Sequence, residues 1–156
     1  MKKIIILLIS HSFILAVGFG LGVYFLPILT APKSVEISII TEYENRSSFQ
    51  TEFVRDLKGS DTFHWGEAKV TISDNNITVN GSIAPGPDYK LYLTNEFIQH
   101  EDEFLSIKKK AQYIAEVKSF KNFVVEVPSN IDVNNYNTVV IWCESFNEFI
   151  TAAKYQ

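Results

Sequence analysis

The sequence predicts a mainly β domain, an antiparallel sandwich or barrel with one short helix, preceded by a single membrane-spanning helix. Three observations predict it. Residues 4–29 form one uncharged and strongly apolar run. From residue 61 onward, several short segments alternate apolar and polar residues with period two, and turn residues separate them. Only residues 95–110 have the apolar spacing of an amphipathic helix.

These patterns divide the chain into three parts. Residues 1–32 are an N-terminal signal-anchor or transmembrane segment, and residues 61–156 are the β domain. Residues 33–60 are a tether that includes a possible first strand, because Val35, Ile37 and Ile39 alternate with polar residues.

The N-terminal segment is longer than a secretory signal. As a helix, residues 4–29 extend roughly 39 Å, which exceeds a hydrocarbon core about 30 Å thick. The apolar part of a cleaved signal has only about 7–15 residues, so an uncleaved anchor is favoured over a cleaved signal. Lys2 and Lys3 precede the run and should remain in the cytoplasm. The prediction is a single-pass protein of the cell inner membrane with a periplasmic C-terminal domain.

The first strands of the domain form a hairpin. Ala68, Val70 and Ile72 alternate with polar residues, and the Asx-rich turn of residues 74–76 leads into a second alternating segment that contains Ile77. One face of this hairpin is therefore expected to be buried and the other to face water.

Later segments complete the predicted sheets. Period-two strands are expected near residues 89–93, 112–117 and 122–127, and a last strand or packed tail over residues 146–153. Residues 138–143 are apolar on both faces, which indicates a central strand that is covered on both sides. Six or seven short strands favour a sandwich or barrel.

Charge and cysteine content exclude several functions. The chain has 14 basic and 18 acidic residues, so the part beyond Lys2 and Lys3 has 12 against 18. A nucleic-acid partner is not expected of an acidic domain with scattered lysines. Because Cys143 is the single cysteine, an intramolecular disulfide and a multi-cysteine zinc site are excluded. No catalytic signature of a hydrolase is present, so the domain is expected to be non-enzymatic.

Three sequence blocks resemble a known family. Phe63–Ala68 (FHWGEA), Gly86–Leu93 (GPDYKLYL) and Tyr136–Cys143 (YNTVVIWC) occur in the order and spacing of the DM-thirteen domain, also called the electron-transfer DM domain. The resemblance covers about residues 61–153 and is specific because the blocks occur together. It implies a β-sandwich with a redox or electron-transfer role in a bacterial, membrane-anchored single-domain form. Domains of this family often accompany DOMON domains, some of which bind haem or sugars.

The resemblance also implies site residues. Cys143 would be the redox-active thiol, and Gly86, Pro87, Asp88 and Trp142 are the motif residues. From the residues alone, the more ordinary interpretation of Cys143 is a buried core cysteine at a strand end. Likewise, Asp88 is ordinarily a turn residue that binds backbone N–H groups, and Trp142 a core residue.

His64 is the weak candidate partner of Cys143. If the fold brings them together, an imidazolium could lower the thiol pKa, or the pair could hold copper or haem iron. No motif supports either cofactor, and a surface histidine is the ordinary alternative. The competing function is an envelope binding or assembly module that recognises a glycan or protein partner through exposed aromatic residues.

Overall fold

The computed structural model describes residues 1–156 and contains eight strands in two four-stranded antiparallel sheets. Sheet I has the strand order β1-β2-β3-β6 and sheet II has the order β5-β4-β7-β8. The strands are β1 Phe49–Phe53, β2 Gly66–Ile72, β3 Asn76–Ile83, β4 Tyr89–Thr94, β5 Gln112–Val117, β6 Lys121–Glu126, β7 Thr138–Cys143 and β8 Glu148–Lys154. The predicted all-β architecture with two packed antiparallel sheets is confirmed.

The main core lies between the two sheets. It is formed by the inward residues of the alternating strands, among them Val70 and Ile72 of β2 and Val139 and Ile141 of β7. A smaller cluster covers the other face of sheet II and includes Val140 and Trp142. Strand β7 is therefore buried on both faces, as the sequence predicts.

Three helices accompany the sheets. Helix α1, Lys2–Thr30, has no buried residue and is long and apolar enough to cross a membrane. Helix α3, Glu101–Ile107, continues into a single 3₁₀ turn, Lys108–Lys110. It packs Phe104 into the smaller core cluster, which confirms the helix predicted within residues 95–110.

Helix α2, Ile37–Glu44, replaces the strand that the alternation of Val35, Ile37 and Ile39 predicted. The strand prediction is wrong. Alternation requires Ile37 and Ile39 to share a buried face, but both are exposed, and Ile40 is the residue that is fully buried. Glu44 ends the helix and its carboxylate accepts hydrogen bonds from Lys69 Nζ and Asn80 Nδ2. Tertiary contacts with sheet I therefore determine the conformation of this short segment.

Candidate functional site

A cavity of about 380 Å³ opens at the end of the sandwich where β7 finishes. Cys143, the last residue of β7, lines it together with Tyr89, the first residue of β4, and Glu148, the first residue of β8. These three residues are neighbours across the sheet, because Cys143 pairs with Tyr89 on one side and with Glu148 on the other. The antiparallel register thus brings three functional groups together at one end of sheet II, where β4 and β8 begin and β7 finishes.

Helix α1 forms the opposite wall of this cavity through Gly20, Val23 and Tyr24. The ring of Tyr24 contacts that of Phe63 edge to face, with 6.4 Å between their centroids. The cavity therefore lies between the helix that is apolar enough to enter a membrane and the tip of the β domain.

The Cys143 thiol is almost entirely buried, with 2% of the residue exposed. Burial raises the pKa of this thiol, and the negative charge of Asp88 acts in the same direction. The backbone N–H groups of Phe146, Asp88 and Ser145 lower the pKa and oppose the shift, but they do not reverse it. The group at rest is accordingly a neutral thiol, and the nearby backbone N–H groups favour its charged form.

Asp88 joins the turn before β4 to the turn after β7. Its Oδ2 accepts a hydrogen bond of 2.9 Å from Ser145 Oγ, and its backbone carbonyl accepts one of 2.9 Å from the Glu144 N–H. The sequence analysis expected the carboxylate to bind backbone N–H groups, whereas the structure gives it a side-chain hydroxyl from a residue distant in sequence.

The Gly86-Pro87 pair belongs to the wall of the cavity. Gly86 lies directly beneath the ring of Tyr89, where a Cβ atom would come within 2.4 Å of the ring. A glycine is therefore required at this position by close approach, since any larger residue would displace the tyrosine that neighbours Cys143.

His64 lines the same cavity as Cys143. The loop that carries it is held by Asp61, whose Oδ1 accepts from the N–H groups of Phe63 and His64 and whose Oδ2 is 2.9 Å from His64 Nδ1. Desolvation raises the pKa of Asp61, but the hydrogen bonds from the His64 side chain and from the two backbone groups together lower it below its usual value. A charged carboxylate can only accept, so Nδ1 is the ring nitrogen that donates to Asp61, and Nε2 is the one that Asp61 does not bind.

The donor set does not fit a copper centre. Copper sites of the blue type use two histidines and one cysteine, and no group of three or more His, Cys, Asp or Glu side chains could hold a metal ion here. Haem iron takes an axial thiolate or imidazole. The Cys143 sulfur is almost entirely buried, whereas the bond between His64 Nδ1 and Asp61 leaves Nε2 as the one nitrogen of this pair that could serve as such a ligand.

Trp142 lies on the opposite side of β7 from Cys143 and is fully buried. Lys108 Nζ stands 5.2 Å from the centre of its ring and 2.6 Å from Glu144 Oε2. The other oxygen of Glu144 accepts a short hydrogen bond from the hydroxyl of Tyr92. Sequence reasoning missed this cluster because its members come from three different elements, and because the run of three lysines is typical of a solvated face.

Sequence reasoning also missed Tyr89, Phe63 and Phe146 as cavity residues. Tyr89 lies within the Gly86–Leu93 block, so that block could have identified it. Phe63 opens the Phe63–Ala68 block, so that block could have identified it as well. Phe146 is more than half exposed, and an exposed aromatic residue in a short loop cannot be distinguished from a core residue by sequence pattern.

Comparison with known families identifies the domain. The family described as electron transfer DM13 matches residues 52–155, which is about two thirds of the chain. The chain therefore belongs to the electron transfer DM13 family. Comparison with curated proteins and with solved structures found no match.

Proposed function

We propose that this protein is a membrane-anchored extracytoplasmic electron-transfer domain in which the Cys143 thiol is the group that changes oxidation state. The observation that carries the proposal is the position of Cys143. It is the one thiol of a domain that belongs to an electron-transfer family, and it borders a cavity shared with His64 and Tyr89.

The surroundings of the sulfur support this role. The backbone N–H groups of Phe146, Asp88 and Ser145 act to lower the pKa of the thiol, and such donors stabilise a thiolate or a sulfenate when negative charge develops. Burial keeps the thiol neutral in the resting state. The neutral thiol reacts slowly, because the thiolate is the reactive form. Access through the cavity, rather than a low resting pKa, then governs its reaction.

Helix α1 determines the membrane topology that we propose for this protein. Lys2 and Lys3 remain in the cytoplasm, and the apolar run of residues 4–29 contains the part of α1 that crosses the cell inner membrane. The β domain, whose first strand is β1, stays on the periplasmic side and is attached through the segment that begins at residue 33. The proposal treats α1 as a retained anchor, because a helix of 29 residues exceeds what a cleaved signal needs.

Reversible oxidation of the full-length protein in lipid nanodiscs tests this function. Hydrogen peroxide takes two electrons from the thiol, giving a sulfenic acid and water, and dithiothreitol then returns the thiol. We expect mass spectrometry with a sulfenate-trapping reagent to detect this cycle in the folded protein and not in Cys143→Ser.

The matched control is the double variant Cys143→Ser/Val139→Cys. Val139 lies on the same strand and in the same core, but does not line the cavity. A thiol at position 139 should remain reduced until the protein unfolds. If Cys143 is equally inert in the folded protein, the redox proposal is wrong.

The alternative role, binding of a glycan or protein partner through an aromatic surface, has weaker support. Trp142 is buried, and the ring of Trp65 is covered by the Arg55 guanidinium at 3.5 Å from its centre. Trp142 is therefore inaccessible to a sugar ring, and one face of the Trp65 ring is already occupied.

A further inference from the structure

The cavity beside Cys143 lies at the level where a membrane ends. A hydrocarbon core about 30 Å thick accommodates about 20 helical residues, and counting from Ile4 brings its outer boundary to Val23. Val23, with Gly20 and Tyr24, is a wall residue of the cavity. An anchored domain therefore holds this cavity at the outer surface of the bilayer, where a ligand dissolved in lipid can enter it.

The lining selects against a phospholipid headgroup. No lysine or arginine lines the cavity, and its one acidic side chain is that of Glu148. A phosphate would be unpaired there and would be repelled by this carboxylate. The aromatic and proline side chains instead favour an apolar ring, and about 380 Å³ lies within the range of small-molecule sites.

Two polar groups in the cavity have unused hydrogen-bonding capacity. The Tyr89 residue is only 4% exposed, and its hydroxyl makes no hydrogen bond within the protein. Because this oxygen is not among the buried polar atoms that lack a partner, it is an accessible donor at the cavity wall. His64 supplies an acceptor, because Asp61 holds its proton on Nδ1 and leaves Nε2 free.

We propose that this cavity binds a lipid-soluble quinone or quinol, with its oxygen atoms directed to Tyr89 and His64. The Tyr89 hydroxyl donates to a ring oxygen, and His64 Nε2 accepts from the hydroxyl of the reduced form. A flat apolar ring with polar oxygens and a hydrocarbon tail suits the aromatic lining, the absence of cations and the opening toward the bilayer. The inference rests on the proposed electron-transfer function and names its membrane partner, but its tests measure binding alone.

Photolabelling tests the proposal with the full chain in phosphatidylcholine nanodiscs. The probe is an azido-substituted decylubiquinone, and cross-linked residues are identified by mass spectrometry. We expect the label on residues of the cavity wall, and we expect excess unlabelled decylubiquinone to remove it. Labelling spread along α1 without competition would overturn the proposal, and so would equal competition by farnesol, which has an isoprenoid tail but no quinone ring.

Two glycines of α1 provide a matched pair of variants. A Cβ atom at either Gly20 or Gly18 meets nothing within 4 Å, but only Gly20 lines the cavity. Gly20→Leu fills the cavity and should abolish specific labelling, whereas Gly18→Leu should label as the parent does. Equal labelling of the two variants would exclude binding at this place.

Polar variants test the orientation of the ring. Tyr89→Phe removes a donor to the ring oxygen and should weaken competition by decylubiquinone about fivefold, whereas His64→Leu removes an acceptor and should weaken competition by the reduced form, decylubiquinol, about fivefold. Unchanged competition in both would contradict the assignment.

Labelling of Cys143→Ser separates this inference from the redox role, because the quinone site should be labelled without the thiol. A redox-inert Cys143 with intact labelling would overturn the proposed function and support the quinone site.

Discussion

Ser145 Oγ donates a hydrogen bond of 2.9 Å to Asp88 Oδ2, and this bond joins the turn that follows Cys143 to the turn that precedes β4. The same two turns supply the backbone N–H groups that lower the pKa of Cys143. The carboxylate therefore has two opposing effects: it holds the N–H groups in place, and its charge disfavours the thiolate.

The charge of Asp88 can be removed while its shape is retained. In Asp88→Asn the amide oxygen still accepts from Ser145, but the negative charge that contributes to the raised pKa of Cys143 is gone. We expect the rate of alkylation to rise at lower pH than in the parent, because the thiolate fraction increases when the pKa falls. The pH profile of alkylation by N-ethylmaleimide measures this shift.

Ser145→Ala is the companion variant. It removes the hydrogen bond and keeps the charge, so its profile should not move toward lower pH. If Asp88→Asn and Ser145→Ala shift the profile alike, the effect arises from loop geometry and not from charge.

The position of the cavity predicts a preference among thiol reagents. Because α1 forms one wall and no lysine or arginine lines the cavity, a lipid-soluble maleimide should reach Cys143 in nanodiscs much faster than a charged methanethiosulfonate. After correction by the rates on the unfolded chain, we expect a difference of at least about tenfold, which corresponds to about 1.4 kcal/mol. Equal corrected rates would mean that the thiol is reached from water.

The cluster of Lys108, Glu144 and Tyr92 should contribute to stability. Both charged side chains are largely removed from water, with 26% and 20% exposed. Desolvation raises the pKa of Glu144, but the hydrogen bonds from Lys108 and Tyr92 together lower it. Glu144→Leu would leave the ammonium of Lys108 without its partner, and we expect a loss of about 1–3 kcal/mol in the free energy of unfolding.

The exposed pair Arg46–Glu42 is the control for this cluster, since its side chains are 72% and 60% exposed. Arg46→Met should leave the unfolding midpoint nearly unchanged, because exposed ion pairs contribute little.

Acid should remove the contribution of Glu144 to stability. A carboxyl whose pKa is lower in the folded protein stabilises the fold fully above its unfolded pKa of about 4.3, and this stabilisation is lost as the pH falls through the folded pKa.

Close packing makes Gly86 sensitive to enlargement. In Gly86→Ala the new methyl group would come within 2.4 Å of the Tyr89 ring, and we expect destabilisation of about 1–3 kcal/mol from overpacking. Adding Tyr89→Leu should recover part of this loss, because the ring is the atom group that clashes. A double variant as unstable as the sum of the two single variants would indicate that the turn backbone, and not the ring, requires glycine.

Several features of this protein were determined by the sequence alone. The apolar run of residues 4–29 predicted α1, and the alternation around Val70 and Ile72 predicted a hairpin of the first sheet. The unbroken apolar segment of residues 138–143 predicted the doubly covered strand β7. These predictions succeed because buried positions repeat every two residues in a strand and every 3.6 residues in a helix, and such a repeat can be recognised in a short stretch of sequence.

Only the tertiary structure decided the environment of Cys143. The register of β4, β7 and β8 places Tyr89 and Glu148 beside it, and the loop of residues 61–65 brings His64 to the same cavity. Contacts across the sheet also made residues 37–44 a helix and turned Lys108 inward to Glu144. Pairing between segments distant along the chain has no local period, because it depends on register, loop closure and packing of the whole domain.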